Sequence, residues 1–324
     1  MTILVTGPTG TVGHYVLERA LVGNEKVRVL ALPETLHRLP HRNEIEVVPG
    51  TLESDEAVAE AVQGVDTIYH TVILAPPPFQ PIPDMERVNV QGTRRLLEQC
   101  AGDIKRFVYV STVFVYQPHS EEEWPVKADA GRQPHGNQYL SAYAQTVVDA
   151  EDFIYEAHER YGMDYTILRT TTACGRGARY AESVVSDLMR NPQRADLIDR
   201  TRGTMQWVHG SDLARAVIAA GTSDVARNQH YLIAGLDWIN SYRILSLLWD
   251  ITQPTNETNP YAELAETKKP HMHKFDYEKA KTALGYMPIV TLRQILEEML
   301  GRYEFHTAAS LNMPNQPSLA QFEL

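Results

Sequence analysis

Apolar and polar positions along the chain fall into two rhythms. Ile3-Leu4-Val5 is a short unbroken apolar run, the length of a buried parallel strand and without alternation. Val27 to Leu32, Ile45 to Val48, Thr67 to His70, Arg106 to Ser111 and Tyr165 to Leu168 read as further strands. Between them the apolar residues return at helical spacing: Val12, Tyr15, Val16, Ala20 and Leu21, then Val58, Ala61 and Val62. Strands that alternate with helices predict an α/β fold built on a parallel sheet. Ala75 to Pro83 carries five prolines in nine residues, which predicts a stiff loop rather than a helix or central strand. After the fourth strand such a loop stands at the carboxyl edge of the sheet, where Phe79 and Ile82 would form an apolar substrate rim or the segment would be a rigid surface connector. Residues 117–138 are polar, with three prolines and Glu121-Glu122-Glu123, and read as another loop, the glutamates as a solvated turn rather than a metal site.

Gly7, Gly10 and Gly13 follow the first strand at once, and the next helix begins among them. Strand, glycine turn, helix is the context in which glycines hold a phosphate. Glycine permits positive φ, keeps a Cβ out of the path of a pyrophosphate and lets helix and strand approach. The amides that open the helix then face the anion, with Thr9, Thr11 and Val12 filling the loop between the glycines. The spacing is G-x-x-G-x-x-G rather than G-x-G-x-x-G. In a dinucleotide fold the end of the second strand meets the adenosine ribose: an acidic side chain holds its hydroxyls, or an arginine accepts a 2′-phosphate. Here Glu34 and Arg38 offer one of each, so NAD and NADP both remain open, as does a solvated role for either residue.

Thr6-Gly7-Pro8-Thr9-Gly10-Thr11-Val12-Gly13 resembles the T-G-x-x-G-x-x-G of the short-chain dehydrogenase/reductase superfamily in its extended branch, which includes nucleotide-sugar epimerases, dihydroflavonol reductases and 3β-hydroxysteroid dehydrogenases. Further similar stretches are Asn89-Val90-Gln91-Gly92-Thr93, taken as the opening of a helix, Ser111 to Tyr116, and Trp207 to Ala214. The last is Phe275 to Tyr286 with Pro288 and a helix from Thr291, so the resemblance covers about residues 2–303. It implies a Rossmann-type, doubly wound parallel sheet over residues 1–170, completed by segments around 205–235, and a small C-terminal substrate lobe over 171–305. Residues 306–324 form a polar tail. It also implies NAD or NADP as cofactor, a small-molecule substrate and a homodimer, with Leu140, Val148, Phe153 and Ile154 giving the Tyr143 helix apolar surface for a partner or for the core. Thr51, with Leu52 beside it, stands where the family has an adenine-contacting Asp. Val72 stands where it has a small residue against the cofactor, and Asn89 where an Asn supports the active-site backbone.

The resemblance also assigns chemistry. Tyr143 matches the proton-transferring Tyr of Y-x-x-x-K and Thr112 the partner of the substrate oxygen, but the lysine position is Val147. Residues i and i+4 share a helix face, which is how phenol and ammonium meet one ligand. Without that cation a phenol of pKa ~10 is a poor base at pH 7, while its neutral form stays abundant as an acid. Three readings follow. One is an atypical NAD(P)H-dependent reductase of a small, partly apolar carbonyl metabolite. Another is a redox-neutral epimerase, isomerase or lyase using Thr112, Tyr143 and His209. The third is a non-catalytic nucleotide-sensing protein. No other lysine is near in sequence; Lys127, in the loop before the Tyr143 helix, is the candidate to fold over the site.

Composition narrows the setting. The 324 residues are 43% hydrophobic, enough for a large core. A net charge of −11 argues against nucleic-acid or anionic-membrane partners. Cys100 and Cys174 support neither a disulfide framework nor a cysteine metal site. A first strand at residue 3 leaves no space for a signal peptide, and no apolar run nears the ~18 residues of a membrane span, so the expected location is cytoplasmic.

Overall fold

The computed structural model describes residues 1–74, 81–100, 102–116, 123–134, 138–201, 206–253, 257–270 and 273–302. Seven strands form one parallel sheet: β1 (Thr2–Thr6), β2 (Lys26–Ala31), β3 (Glu46–Pro49), β4 (Thr67–His70), β5 (Arg106–Thr112), β6 (Tyr165–Thr170) and, late in the chain, β9 (Gln229–Ile233). Their order is β3-β2-β1-β4-β5-β6-β9, so the direction of winding reverses between β1 and β4. At such a switch point the connections leave to opposite faces, and the gap at the carboxyl ends becomes a crevice for ligands. A small second sheet pairs β7 (Thr172–Cys174) with β8 (Trp207–His209).

Alternate residues of each strand supply the two cores. Leu4, Ile68, Phe107 and Ile167 pack beneath α2 (Asp55–Val62), α4 (Thr93–Cys100) and α5 (Gln138–Tyr161). Ile3, Val5, Val108 and Leu168 pack against α1 (Thr11–Ala20), α8 (Gly210–Thr222) and α11 (Glu278–Leu284). Burial on both faces explains the unbroken apolar runs. A third core joins α6 (Arg179–Arg190), α7 (Ala195–Thr201), α9 (Ser241–Thr252) and α12 (Leu292–Met299), flanked by α10 (Ala262–Thr267). Thr291 caps α12 in a capping box with Gln294.

Two expectations about the proline segment change. The helix after it starts not near Asn89 but as α3 (Ile82–Met85), so Pro83 lies inside a helix. It does so in the first turn, where the amide that proline lacks has no helical partner anyway. Ile82 is half-buried against the α2–α4–α5 core, not an open substrate rim; Phe79 lies outside the described residues. Glu86–Gly92 continues α3 as a π-helical stretch that runs into α4. Of the polar loop, residues 123–134 fold back on the sheet edge, with Val126 bridged to Phe275 and Arg132 to Tyr116. Glu121 and Glu122 lie outside the described residues. Among the described residues no helix is long and apolar enough to cross a membrane.

Candidate active site

The glycine loop closes the carboxyl end of β1. Gly7 has φ +67°, a conformation that favours glycine, and its carbonyl accepts the Gly10 amide at 3.0 Å. A Cβ on Gly13 would lie 2.0 Å from the Gly7 oxygen, so this glycine lets α1 approach β1. Gly10 is different. Among the described residues a Cβ there meets only the Gly7 oxygen, at 3.4 Å, and the residue is exposed as the N-cap of α1. The opening therefore leads to the free amides of Thr11, Val12 and Gly13, a cradle that fits a pyrophosphate. Thr11 Oγ1 instead donates to the Gly177 carbonyl (3.0 Å), tying the loop to the segment that follows β7. Val72 presses its Cγ2 to within 2.8 Å of a Cβ built on Gly7, so it lines the loop from the β4 side.

Beyond β2 the chain makes a 3-10 turn, Pro33–Arg38, on which Glu34 and Arg38 are both exposed. Arg38 Nη2 donates to the Thr9 carbonyl (3.5 Å), and Thr9 Oγ1 donates to Thr35 (3.3 Å). Thr51 Oγ1 accepts the Glu53 amide (3.0 Å) as a turn cap, and Leu52 packs over Gly92.

Thr112 ends β5 and Tyr143 stands in the first turns of α5, and the fold brings the Thr112 hydroxyl near enough to the Tyr143 phenol to lower its pKa. Burial pushes the Tyr143 phenol up to about 12, and Thr112 holds it down only in part. At pH 7 about one molecule in 10⁵ is then ionised. Val147 is fully buried in the apolar core one turn later, so the lysine site is filled by hydrocarbon. Lys127 is exposed in a turn and does not replace it. Asn89 is fully buried: its Oδ1 accepts the Leu74 amide (2.7 Å) and its Nδ2 donates to the Leu74 carbonyl (3.3 Å) and to Thr146 Oγ1 (3.1 Å). Thr146 in turn donates to the Tyr143 carbonyl (2.7 Å). Asn89 thus joins the β4 exit to the Tyr143 helix, and the π-helical stretch aims it inward; its amide is spent on protein, not offered to a cofactor.

The profile of the NAD dependent epimerase/dehydratase family matches residues 3–234. The chain belongs to this family. A 3 beta-hydroxysteroid dehydrogenase/Delta 5-->4-isomerase of Mycobacterium tuberculosis is 26% identical over 93% of this chain and 90% of its own. An uncharacterized UDP-glucose epimerase, YtcB, of Bacillus subtilis is 24% identical over 90% of this chain and 95% of its own. Among solved structures, UDP-glucuronic acid 4-epimerase from Bacillus cereus in complex with NAD shares the fold with a TM-score of 0.74 at 21% identity, covering 93% of this chain and 98% of that one.

Within this epimerase/dehydratase fold, two buried polar groups escaped the sequence reading. Glu151 lies two turns past Tyr143 on the same helix face and is fully buried. It accepts from Ser111 Oγ (2.6 Å), from Arg169 Nε (3.0 Å) and Nη2 (2.7 Å), and from Arg132 Nη1 (3.2 Å). Burial would lower the Arg169 pKa, but Glu151 more than reverses that and raises it. The i, i+4, i+8 series Tyr143, Val147, Glu151 was the one available signal.

The second group includes His209. Its Nδ1 accepts the Ser211 amide (3.2 Å), so Nε2 carries the proton and donates to Glu298 (2.8 Å). Tyr15 Oη, from the glycine-loop helix, donates to the other Glu298 oxygen (2.9 Å) and accepts the Arg176 amide (3.1 Å). His209 is fully buried, its ring engaged with Ser211, Glu298 and Tyr15. His70 is equally enclosed, between Thr6 and Thr93, and burial lowers its pKa to about 3, so it stays neutral. Among the described residues no group of three His, Cys, Asp or Glu is placed to hold a metal.

Proposed function

We propose that the protein reduces a carbonyl group of a small metabolite with a bound dinucleotide, NADH or NADPH. Thr112 holds the carbonyl oxygen and Tyr143 gives it a proton. The family's NAD dependence and the glycine cradle support the cofactor. When bound, the reduced nicotinamide supplies the hydride; the protein orients the carbonyl, excludes water and delivers the proton from Oη.

One observation carries the direction. Burial raises Tyr143 to about 12, Thr112 opposes it, and an apolar side chain occupies the lysine position. A group in that state is protonated at every physiological pH. It serves a step that consumes a proton at oxygen and serves poorly one that must remove a proton from an alcohol. The epimerase/isomerase reading needs both directions in one cycle and draws on His209, which the Glu298 network encloses.

Tyr143→Phe tests the assignment. Turnover of an aldehyde or ketone panel, followed by NAD(P)H absorbance, falls about 10²–10⁴-fold, and NAD(P)H affinity by fluorescence stays within about twofold, as expected for a proton donor outside the pyrophosphate cradle. Unchanged turnover removes Tyr143 from the mechanism.

A further inference from the structure

Helix α6 turns Ala181, Val184, Val185 and Leu188 toward the third core. Its other side holds Met189, 51% exposed, between the exposed charges Glu182 and Arg190. Among the described residues neither of those charges has an ion-pair partner. Beside them runs a groove of about 430 Å³, lined by Val185, Ser186 and Met189 of α6 and by Met299 and Leu300 at the end of α12.

The two charges are placed symmetrically. Glu182 stands one turn before Ser186 and Arg190 one turn after it, about 6 Å away in each direction and about 40° to opposite sides of it. Within one helix ion pairs form at i, i+3 or i, i+4, so residues eight apart do not meet. A two-fold axis through Ser186 brings each to the other's position in a second, antiparallel helix. Glu182 of one copy then faces Arg190 of the other, twice. Ser186 is small enough for the helix axes to close to ~8–10 Å. Each Arg190 lays its aliphatic stem along the groove of the other copy, whose lining includes the Glu182 it pairs with, and each Met189 covers Ser183 and Ser186.

The face that the resemblance offers for a partner, on α5, suits self-association less well. Ile154 is fully buried, Val148 and Phe153 pack against the sheet core, and Arg94 lies over the Phe153 ring at 5.3 Å, itself paired with Glu98. The charges that α5 turns outward there are Asp149, Asp152 and Glu156. Two copies of α5 related by a two-fold would set carboxylates against carboxylates.

We infer that α6 is a self-association face, through which two copies of this chain pair antiparallel about a two-fold axis at Ser186. The inference stands apart from the proposed reaction and from its cofactor.

The test is sedimentation velocity of the full chain between about 1 μM and about 1 mM. Two helices in contact bury little area, so the dimer forms with a Kd of about 10–100 μM. Glu182→Arg and Arg190→Glu each set like charges together at both contacts and weaken the dimer about 10-fold or more. The double variant Glu182→Arg/Arg190→Glu restores opposite charges and recovers wild-type association to within about threefold. A one-to-one mixture of the two single variants does the same, by forming a heterodimer that neither makes alone. Both positions are exposed, so unchanged Tm values confirm that folding is intact. A dimer that withstands both single reversals pairs through another surface and overturns the inference. So does a double variant and a mixture that both stay monomeric. A wild type still monomeric at about 1 mM overturns it as well, and leaves the groove to the chain's own end or to another protein.

Discussion

Placing the missing cation tests how far one side chain sets the direction of the chemistry. Val147→Lys puts an ammonium one helical turn from Tyr143, about 6 Å away across the i, i+4 spacing. At an effective dielectric of about 20, unit charges at that distance interact by about 2.8 kcal/mol, or about two pKa units. The sign follows from charge: a cation favours phenolate. Tyr143, now pushed up to about 12 by burial against the weaker opposing effect of Thr112, would then ionise near about 10. At pH 8 the phenolate fraction rises about 100-fold, which is the change a base needs to oxidise an alcohol. The readout is tyrosinate absorbance between pH 7 and 11, taken as the difference between Val147→Lys with and without Tyr143→Phe. That subtraction removes the other tyrosines. One tyrosinate with a midpoint near about 10 is expected, together with tighter nicotinamide binding by fluorescence. The site is fully buried, so the ammonium also costs stability, several kcal/mol before any partner is found. Val147→Met supplies the added length without charge, separating packing from electrostatics. A folded Val147→Lys protein in which no additional tyrosine titrates below pH 11 refutes the reasoning.

Two glycines of one loop should fail in different ways. Gly13→Ala drives a Cβ into the Gly7 carbonyl, so a helix-propensity gain of up to about 1 kcal/mol is outweighed by an overpacking cost of about 1–3 kcal/mol, and Tm drops by a few degrees. Gly10→Ala meets no such contact; Tm holds within about 2 °C while NAD(H) titration shows binding lost, and retained binding would mean the pyrophosphate does not pass over Gly10. Glu298→Gln removes a carboxylate whose pKa burial would raise but which the hydrogen bonds from His209 and Tyr15 hold below its ordinary 4.5. A depressed folded pKa gives stability that is present above the unfolded value and disappears as pH falls through the folded one. Wild-type Tm therefore declines more steeply than that of the variant below about pH 4.5, and at pH 7 the variant is less stable by about 2–3 kcal/mol. Parallel Tm profiles below pH 4.5 would show that Glu298 is not the responsible group.

Local chemistry was legible in the sequence and long-range pairing was not. Thr67–His70 is a strand at the residues its apolar run marks, and the Gly7 to Gly13 turn closes β1 as its spacing requires. Pro83 misled because a proline tally is blind to position: proline breaks a helix interior but suits a first turn. The juxtaposition of Thr112 and Tyr143 came through resemblance, since no local rule connects a strand end to a helix 31 residues on. Tyr15, His209 and Glu298 each look unremarkable in place, and only folding shows that one carboxylate serves both others.

The Tyr15–Glu298 bond spans 283 positions in sequence and joins the first helix to the last one described. During synthesis this makes order matter. The β1–α1 turn emerges from the ribosome early, but Glu298 comes out only after nearly every other element has been made. Until then Tyr15 and His209 lack their shared acceptor, and the back of the dinucleotide cradle is unlatched. A nascent chain would acquire its phosphate-binding loop at the start of translation and its rigid form only near the end. The latch between the first helix and the last one described is thus completed only late in synthesis.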